Sequence, residues 1–468
     1  MSEDSTSSAE GSSALPVERL RRGGRVGAVA ARHAARSAAV AATSRFRGPE
    51  QEARARERTI LRLADDIATV AVGMRGAAQK LGQIMAVLDL GIADEETRAE
   101  FSRRMERVFA TAPRWTDSSM QQRISDELGP HVADLTDVAG PVSTASIGQV
   151  YRARLRDGRS VAVKVKYPNV DRMVRADLQN LRLLVRAVRR HLPAVNSEAI
   201  VDEVARQIST ELDFEAECRN QRIFSDRFDG HPVIRIPSPV EELCTGDMLV
   251  TEFFDGMTLD DAAALPAPER DRIGEAIYRF YCGEMYRVGH FCADPHPGNI
   301  LVNPGGTVCF VDFGSCVTLS PDEHALERRA LEGLLGGRHR EVYDLVREAG
   351  FVVNDKAMGP DELTAYIRDV AGWHLESGIL TITPQVAAAA VSAALLPQGG
   401  HIGTFGAQAI VEAHALGRRN ELAVLALLGR LNATAPWSDI ARETLGISGP
   451  ATPMGEEIAR WRRRRPDR

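Results

Sequence analysis

Apolar residues recur at helical spacing from Glu57 to Leu90, and again over Glu95 to Ala110 and Ser118 to Leu128, where Gly129-Pro130 stops the period. Between Val138 and Lys166 the pattern changes to short Val-rich runs. Gly148 to Leu155 and Ser160 to Lys166 flank Asp157-Gly158, and that dipeptide predicts a hairpin because Gly tolerates the positive φ its turn requires. Helical spacing returns from Asn169 to about Arg190 and over Ser197 to Arg227. A further strand is expected at Met248 to Phe253, followed by a turn at Asp255-Gly256. Beyond it the pattern is mainly helical, interrupted by a second hairpin from Asn299 to Asp312. No internal repeat is present.

Composition narrows this picture. A chain of 468 residues with 44% hydrophobic content can fill a large two-lobed body with appendages. Its formal net charge of −6 argues against nucleic acid as the main partner, since phosphate binding calls for a basic domain or stripe. The six cysteines form no C-x-x-C pair, so neither a zinc site nor a redox motif is indicated, and a reducing cytoplasmic setting is expected. No apolar run approaches a membrane span; Val386 to Leu396 is short and Ala-rich. Met1 to Ala14 is rich in Ser, Gly and acidic residues and is left out of the fold. Leu20 to Arg58 is rich in Ala and Arg. Arg25, Arg32 and Arg36 interrupt the apolar core that an export signal after Arg21-Arg22 would need. The segment reads as a solvated basic helix, with a peripheral arm on anionic lipid as the alternative.

The chemistry concentrates in Cys292-Ala293-Asp294-Pro295-His296-Pro297-Gly298-Asn299 and, thirteen positions after Asn299, Asp312-Phe313-Gly314. Phosphoryl transfer needs a carboxylate near the attacking hydroxyl and oxygen ligands that hold Mg²⁺ against the phosphates. In D-x-x-x-x-N followed by D-F-G, Asp294 serves the hydroxyl, while Asn299 and Asp312 bind metal. A lone D-F-G is more often a turn. Five identities at these spacings make the combined block far more specific. His296, between prolines, is expected to make fixed backbone hydrogen bonds, and Cys292 to be an inert buried thiol.

Upstream, Lys164 ends the apolar run Val161-Ala162-Val163 and needs a counter-charge if it turns inward. A kinase-type strand lysine holds the α- and β-phosphates of ATP and is positioned by a helical Glu. Glu211, Asp213, Glu215 and Glu217 are the candidates; Asp213 and Glu217 stand one turn apart on the expected helix. Glu252, on the strand from Met248 to Phe253, joins the nucleotide-binding candidates.

These residues resemble the ABC1/UbiB/AarF group of atypical kinases, the ADCK or COQ8 type, over about Gln79 to Arg340. The K-x-G-Q signature stands at Lys80, Leu81, Gly82 and Gln83, and the nucleotide loop corresponds to Ser143-Thr144-Ala145-Ser146-Ile147-Gly148-Gln149. The E-x-D element matches Glu211-Leu212-Asp213, the helical Glu matches Glu217, and the catalytic-loop and metal positions match Asp294, Asn299 and Asp312. The resemblance implies an α+β, two-lobed protein-kinase-like fold that binds ATP and Mg²⁺, with the K-x-G-Q helix over the place where a protein kinase receives peptide. Lys80 and Gln83 project from one face of that helix, and Gly82 permits close approach, so the pair is expected to reach Glu211 or Asp213. No A-P-E follows Gly314, and a helical pattern begins near Asp322, which disfavours a peptide acceptor.

Three departures qualify the likeness. Ser143 and Thr144 stand where the family loop is a run of alanines, and Cys292 stands where His usually precedes Ala-Asp. Polar helices and Arg462 to Arg465 occupy the end where several members carry membrane spans. The expected organisation is a basic arm to residue 58, a helical extension over 59–136, a kinase-like N-lobe with a helical insertion over 137–258, a C-lobe core over 259–345 and a helical C-terminal region over 346–468. The leading functional expectation is an ATP-dependent phosphotransferase or ATPase with a small-molecule or lipid-related acceptor in isoprenoid or quinone metabolism. A nucleotide-gated binding or chaperone-like module that transfers no phosphate and a small-molecule, antibiotic-type phosphotransferase are the alternatives. The oligomeric state is left open.

Overall fold

The computed structural model describes residues 117–144, 147–188, 205, 209–352, 354, 358–395 and 412–465. The Lys80 to Gln83 motif, the basic arm, and Ala145 and Ser146 of the nucleotide loop lie outside the described residues. In chain order come α1 (Asp117–Leu128), β1 (Leu135–Thr144), β2 (Gly148–Leu155), β3 (Ser160–Lys166), α2 (Val170–Val188), α3 (Phe214–Arg227), β4 (Ile234–Arg235), β5 (Met248–Glu252) and β6 (Met257–Thr258). The next elements are α4 (Leu259–Ala262), α5 (Ala267–Tyr278), α6 (Glu284–Val288), β7 (His290–Cys292), β8 (Ile300–Val302), β9 (Val308–Phe310), β10 (Cys316–Thr318) and α7 (Pro321–Leu335). The remainder is α8 (His339–Glu348), α9 (Pro360–Ala371), β11 (Leu380–Thr381), α10 (Pro384–Leu395), α11 (Glu412–Leu431), β12 (Thr434–Ala435), α12 (Trp437–Leu445) and α13 (Pro453–Arg463). One four-stranded sheet has the order β1-β2-β3-β5 and another β4-β9-β8-β6; β7 pairs with β10 and β11 with β12.

The expected hairpin of β2 and β3 is present, with Gly158 at φ 89° in its turn. One long expected helix divides. The period read from Ser197 to Arg227 breaks before α3, because the Asp213 carboxylate accepts from the Ala216 amide and caps the new helix. An Asp satisfies an otherwise orphan donor at that position, which it could not do from a helix interior. Asp213 and Glu217 therefore do not share a helix face: Asp213 is exposed and Glu217 is buried on α3.

The chain forms two compact units. Of the described residues, the first holds 117–129, 139–144, 147–151, 164–188, 205 and 209–212. Within it α1 buries Met120, Ile124 and Leu128, one apolar residue per turn, and the Arg123 guanidinium donates to the Lys166 carbonyl at 3.0 Å. Gly148 is required by a close backbone approach: a Cβ there would lie 2.3 Å from the Val165 carbonyl oxygen.

The second unit holds the described residues among 130–138, 152–163 and 213–465. Its core gathers Phe224, Phe280, Phe310 and Phe313 with Val424, Leu428 and Trp437. The Phe280 and Phe310 rings stack at 3.8 Å, which fastens the helical side of the core to β9. Gly289, at φ 73°, closes α6 and turns the chain directly into β7.

His374 lies in this core, stacked on Trp373 at 4.5 Å, with its Nδ1 3.4 Å from the Tyr278 hydroxyl and its Nε2 without a hydrogen-bond partner among the described residues. Burial, reinforced by the Arg418 charge, pushes its pKa down to about 3. The folded-state value is thus below the unfolded one, so the neutral ring's contribution is complete above about pH 6.5 and is lost as pH falls toward 3. Urea unfolding of wild type and His374→Phe should therefore give stability curves whose difference changes below about pH 6.5, with a slope approaching about 1.4 kcal/mol per pH unit. Parallel curves across that range would contradict the assignment.

Candidate functional site

Two short antiparallel ladders in the second unit assemble the candidate residues. In the first, Ile300 faces Phe310 and Val302 faces Val308, and the Val311 amide donates to the Asn299 carbonyl at 3.1 Å. Asn299 and Asp312 therefore leave the same end of the β8–β9 hairpin. In the second, Cys292 faces Cys316, and the Ala293 amide donates to the Ser315 carbonyl at 2.8 Å, which brings Asp294 and Gly314 to one end. The segments joining the ladders are Asp294 to Asn299 and Asp312 to Gly314, so Asp294, Asn299 and Asp312 converge where the ladders meet.

Local hydrogen bonds set each of these turns. His296 Nδ1 accepts from the Gly298 amide at 3.1 Å, and its carbonyl accepts from the Asn299 amide at 3.0 Å, the backbone role expected of this histidine. The Asn299 Nδ2 group donates to the Asp294 carbonyl at 3.5 Å, and Asp312 Oδ1 accepts from the Gly314 amide at 3.1 Å. Two contacts from elsewhere in the unit were not visible in the sequence. Asn220 on α3 donates to the Phe313 carbonyl at 3.1 Å, and Arg419 on α11 reaches Asp294 Oδ1 at 3.5 Å. Phe313 also packs against Phe224 of α3, with ring centroids 5.2 Å apart, so the helix that carries Glu217 is fastened to the Asp312 turn twice.

Cys292 is buried, and burial with the Cys316 thiol alongside pushes its own thiol well up, so it is closed to direct attack on a reagent from solvent. Glu252 is committed elsewhere in the same unit: its carboxylate accepts from Arg235 at 2.6 Å and from the Ser238 amide at 3.2 Å. In the first unit, Lys164 is half-buried on β3 beside the buried Val165. Ser143 and Thr144 are exposed at the end of β1, and Glu211 is half-buried. The chain passes from Gly314 through β10 to α7, where Ser320 and Glu323 form a reciprocal cap, so only a short strand separates the Asp312 turn from the next helix.

Residues 107–345, about half the chain, match the ABC1 atypical kinase-like domain. The chain belongs to that family of atypical kinases, and its α+β fold is kinase-like. It is similar to atypical kinase COQ8B, mitochondrial, of Rattus norvegicus, 31% identical over 260 residues that make up 54% of this chain and 48% of the relative. It also resembles AarF domain-containing protein kinase 1 of Xenopus laevis, 28% identical over 56% of this chain and 50% of that one. Among solved structures, the complex of Rv3197 with erythromycin from Mycobacterium tuberculosis superposes with a TM-score of 0.60 at 25% identity, covering 83% of this chain and 97% of that one. The matches span about half the length of these two curated relatives.

Kinase-like membership implies ATP and a divalent metal in general. The donor set fits a hard cation: an Asn amide and an Asp carboxylate offer oxygen, and Mg²⁺ takes few protein ligands when phosphate oxygens and water complete its octahedron. Among the described residues no group of three or more His, Cys, Asp and Glu is arranged to hold a metal by itself. Among those residues, too, no helix is long and apolar enough to cross a membrane.

Proposed function

We propose that this chain is an ATP-dependent phosphotransferase or ATPase of the ABC1 type, acting in or regulating isoprenoid or quinone lipid metabolism. The observation that carries the proposal is the convergence of Asp294, Asn299 and Asp312 at the junction of the two ladders. When bound, ATP with Mg²⁺ supplies the phosphoryl group and neutralises charge on its oxygens. Asn299 and Asp312 would hold the metal through side-chain oxygens, and Lys164 with the Ser143, Thr144, Ala145, Ser146 and Gly148 loop would hold the nucleotide. Glu217, Glu211, Asp213, Lys80 and Gln83 complete the proposed set; Glu252 is its weakest member because its carboxylate is engaged by Arg235.

In this reading Asp294 orients the acceptor hydroxyl or water and receives its proton at a carboxylate oxygen. Asn220 fixes the Phe313 carbonyl and with it the backbone that carries Asp312. Arg419 is a positioning residue for Asp294. Arg419→Gln is expected to lower kcat about tenfold with little change in KM for ATP, since misplacing a reacting group costs rate more than binding. Steady-state hydrolysis decides this; a rise in KM at constant kcat would instead assign Arg419 to nucleotide binding.

The test of the main reading is metal-dependent ATP hydrolysis by the full chain, with and without anionic liposomes carrying a polyprenyl lipid extract, in wild type and Lys164→Met. Hydrolysis that needs the metal and Lys164 supports it, and stimulation by the extract supports the lipid assignment. Tight ATP binding without hydrolysis or phosphorylated product would favour a nucleotide-gated binding module. The erythromycin complex of the structural relative, which this chain matches over most of both lengths, favours a second reading in which a macrolide-like small molecule is the ligand or acceptor. Mass spectrometry of erythromycin incubated with the protein, ATP and Mg²⁺ separates a phosphorylated product from binding alone.

A further inference from the structure

Cys292 and Cys316 face each other across β7 and β10, and their sulfurs are 3.4 Å apart. The ladder around them alternates. Ala293 donates to Ser315 and Leu319 donates to Gly289, each at 2.8 Å, so these are hydrogen-bonded positions and the Cys292–Cys316 position between them is non-hydrogen-bonded. At such positions facing Cα atoms approach to about 4.5 Å, inside the range of about 4.4–6.8 Å that a disulfide spans. The side chains share one face of the ladder, and closing 3.4 Å to the bond length of about 2.05 Å needs side-chain rotation rather than a change of register.

We propose that Cys292 and Cys316 are a redox modification site, a dithiol that peroxide converts to a reversible cross-strand disulfide. Cys316, half-buried, admits the oxidant, whereas Cys292 is only 4% exposed. The Cys316 sulfur attacks peroxide, the O–O bond breaks, and a sulfenic acid and one water result. The Cys292 sulfur then attacks the Cys316 sulfur, the S–O bond breaks, and the leaving hydroxide departs as a second water with the Cys292 proton. Two thiols lose two electrons in all, and peroxide takes them up.

The position gives the bond a consequence. The ring it closes contains residues 293–315, and therefore Asp294, Asn299 and Asp312 together. Cys282 and Cys309 are buried. Cys218 and Cys244 also touch side chain to side chain, but Cys218 is buried and the Cys244 thiol is engaged by the Val240 carbonyl and by both backbone groups of Val250.

The experiment is a peroxide titration of the native full chain, followed by alkylation and peptide mapping under non-reducing conditions, with Cys316→Ser and Cys244→Ser alongside. The expected result is a peptide linking Cys292 to Cys316, lighter by two hydrogens, that dithiothreitol reverses and that survives Cys244→Ser but is absent from Cys316→Ser. Three results would each overturn the proposal: Cys316 ending as an unlinked sulfinic acid, both thiols remaining alkylatable at peroxide levels that oxidise a free thiol, or linkage confined to Cys218 and Cys244. Because the readout is a covalent bond, it stands whether or not the chain turns over ATP.

Discussion

Asp312→Asn is expected to lower metal-dependent ATP hydrolysis by about a hundredfold or more while leaving the melting temperature nearly unchanged. The substitution preserves shape. An Asn side-chain oxygen can still accept from the Gly314 amide, now bonded to Asp312 Oδ1 at 3.1 Å, and the Phe313 carbonyl keeps its bond from Asn220. What is lost is the negative charge that would oppose a divalent cation, and Asn299, a neutral amide, cannot replace it. Steady-state hydrolysis over a Mg²⁺ titration, paired with thermal unfolding, measures both halves. Turnover equal to wild type would remove Asp312 from the metal site, and a collapsed melting temperature would show that the residue serves the fold instead.

Glu443→Leu is expected to destabilise the protein by about 3 kcal/mol near neutral pH, the cost of taking from a buried guanidinium one of its two carboxylate partners. Arg279 opens the π-helical segment Arg279–Gly283 that continues α5, with its side chain 6% exposed, and it bonds Glu443 through both terminal nitrogens at 2.8 Å and Glu275 through Nε at 2.7 Å. Glu443 also accepts from the Ala451 amide at 2.9 Å, so α12 and the approach to α13 are tied to α5 through one guanidinium. Burial pushes the Glu443 carboxyl up, but the hydrogen bonds and charge of Arg279 outweigh it and hold the group below its usual range. A depressed folded-state pKa means stability that is present above the unfolded value, near 4.3, and is lost as pH falls through the folded value. Wild type and variant should accordingly differ most near pH 7 and converge in acid, as read by urea unfolding. A gap below about 0.5 kcal/mol at pH 7, or one independent of pH, would mean that Glu275 alone compensates Arg279.

Much of the local structure was legible because it depends on neighbours in the chain. Asp157-Gly158 announced the β2–β3 hairpin, and Gly129-Pro130 the end of α1. The hairpin between Asn299 and Asp312 was read correctly because its strands are close in sequence. Strands β7 and β10 were not foreseen. Each has three residues, too few to display a period, and their partners lie between 24 (Cys292 and Cys316) and 28 (His290 and Thr318) positions apart, so only the folded core around Phe291 and Phe313 makes them strands. The helix break at Asp213 was missed for another reason: the periodicity of flanking apolar residues hid a cap that competes with the helix interior.

By itself the sequence determined the family and the residue types of the candidate site, since Asp294, Asn299 and Asp312 stand at separations set by two tight turns and one short hairpin. That Gly148 cannot readily be replaced was not legible there; the clash of an added Cβ with the Val165 carbonyl is a property of packed backbone. Tertiary structure alone decided that Arg419 reaches Asp294, that Asn220 holds Phe313, and that Cys292 meets Cys316. The physical reason is range. Turn and helix preferences act over a few bonds, whereas a side chain 125 positions away becomes a neighbour only once burial of apolar surface has brought its helix there.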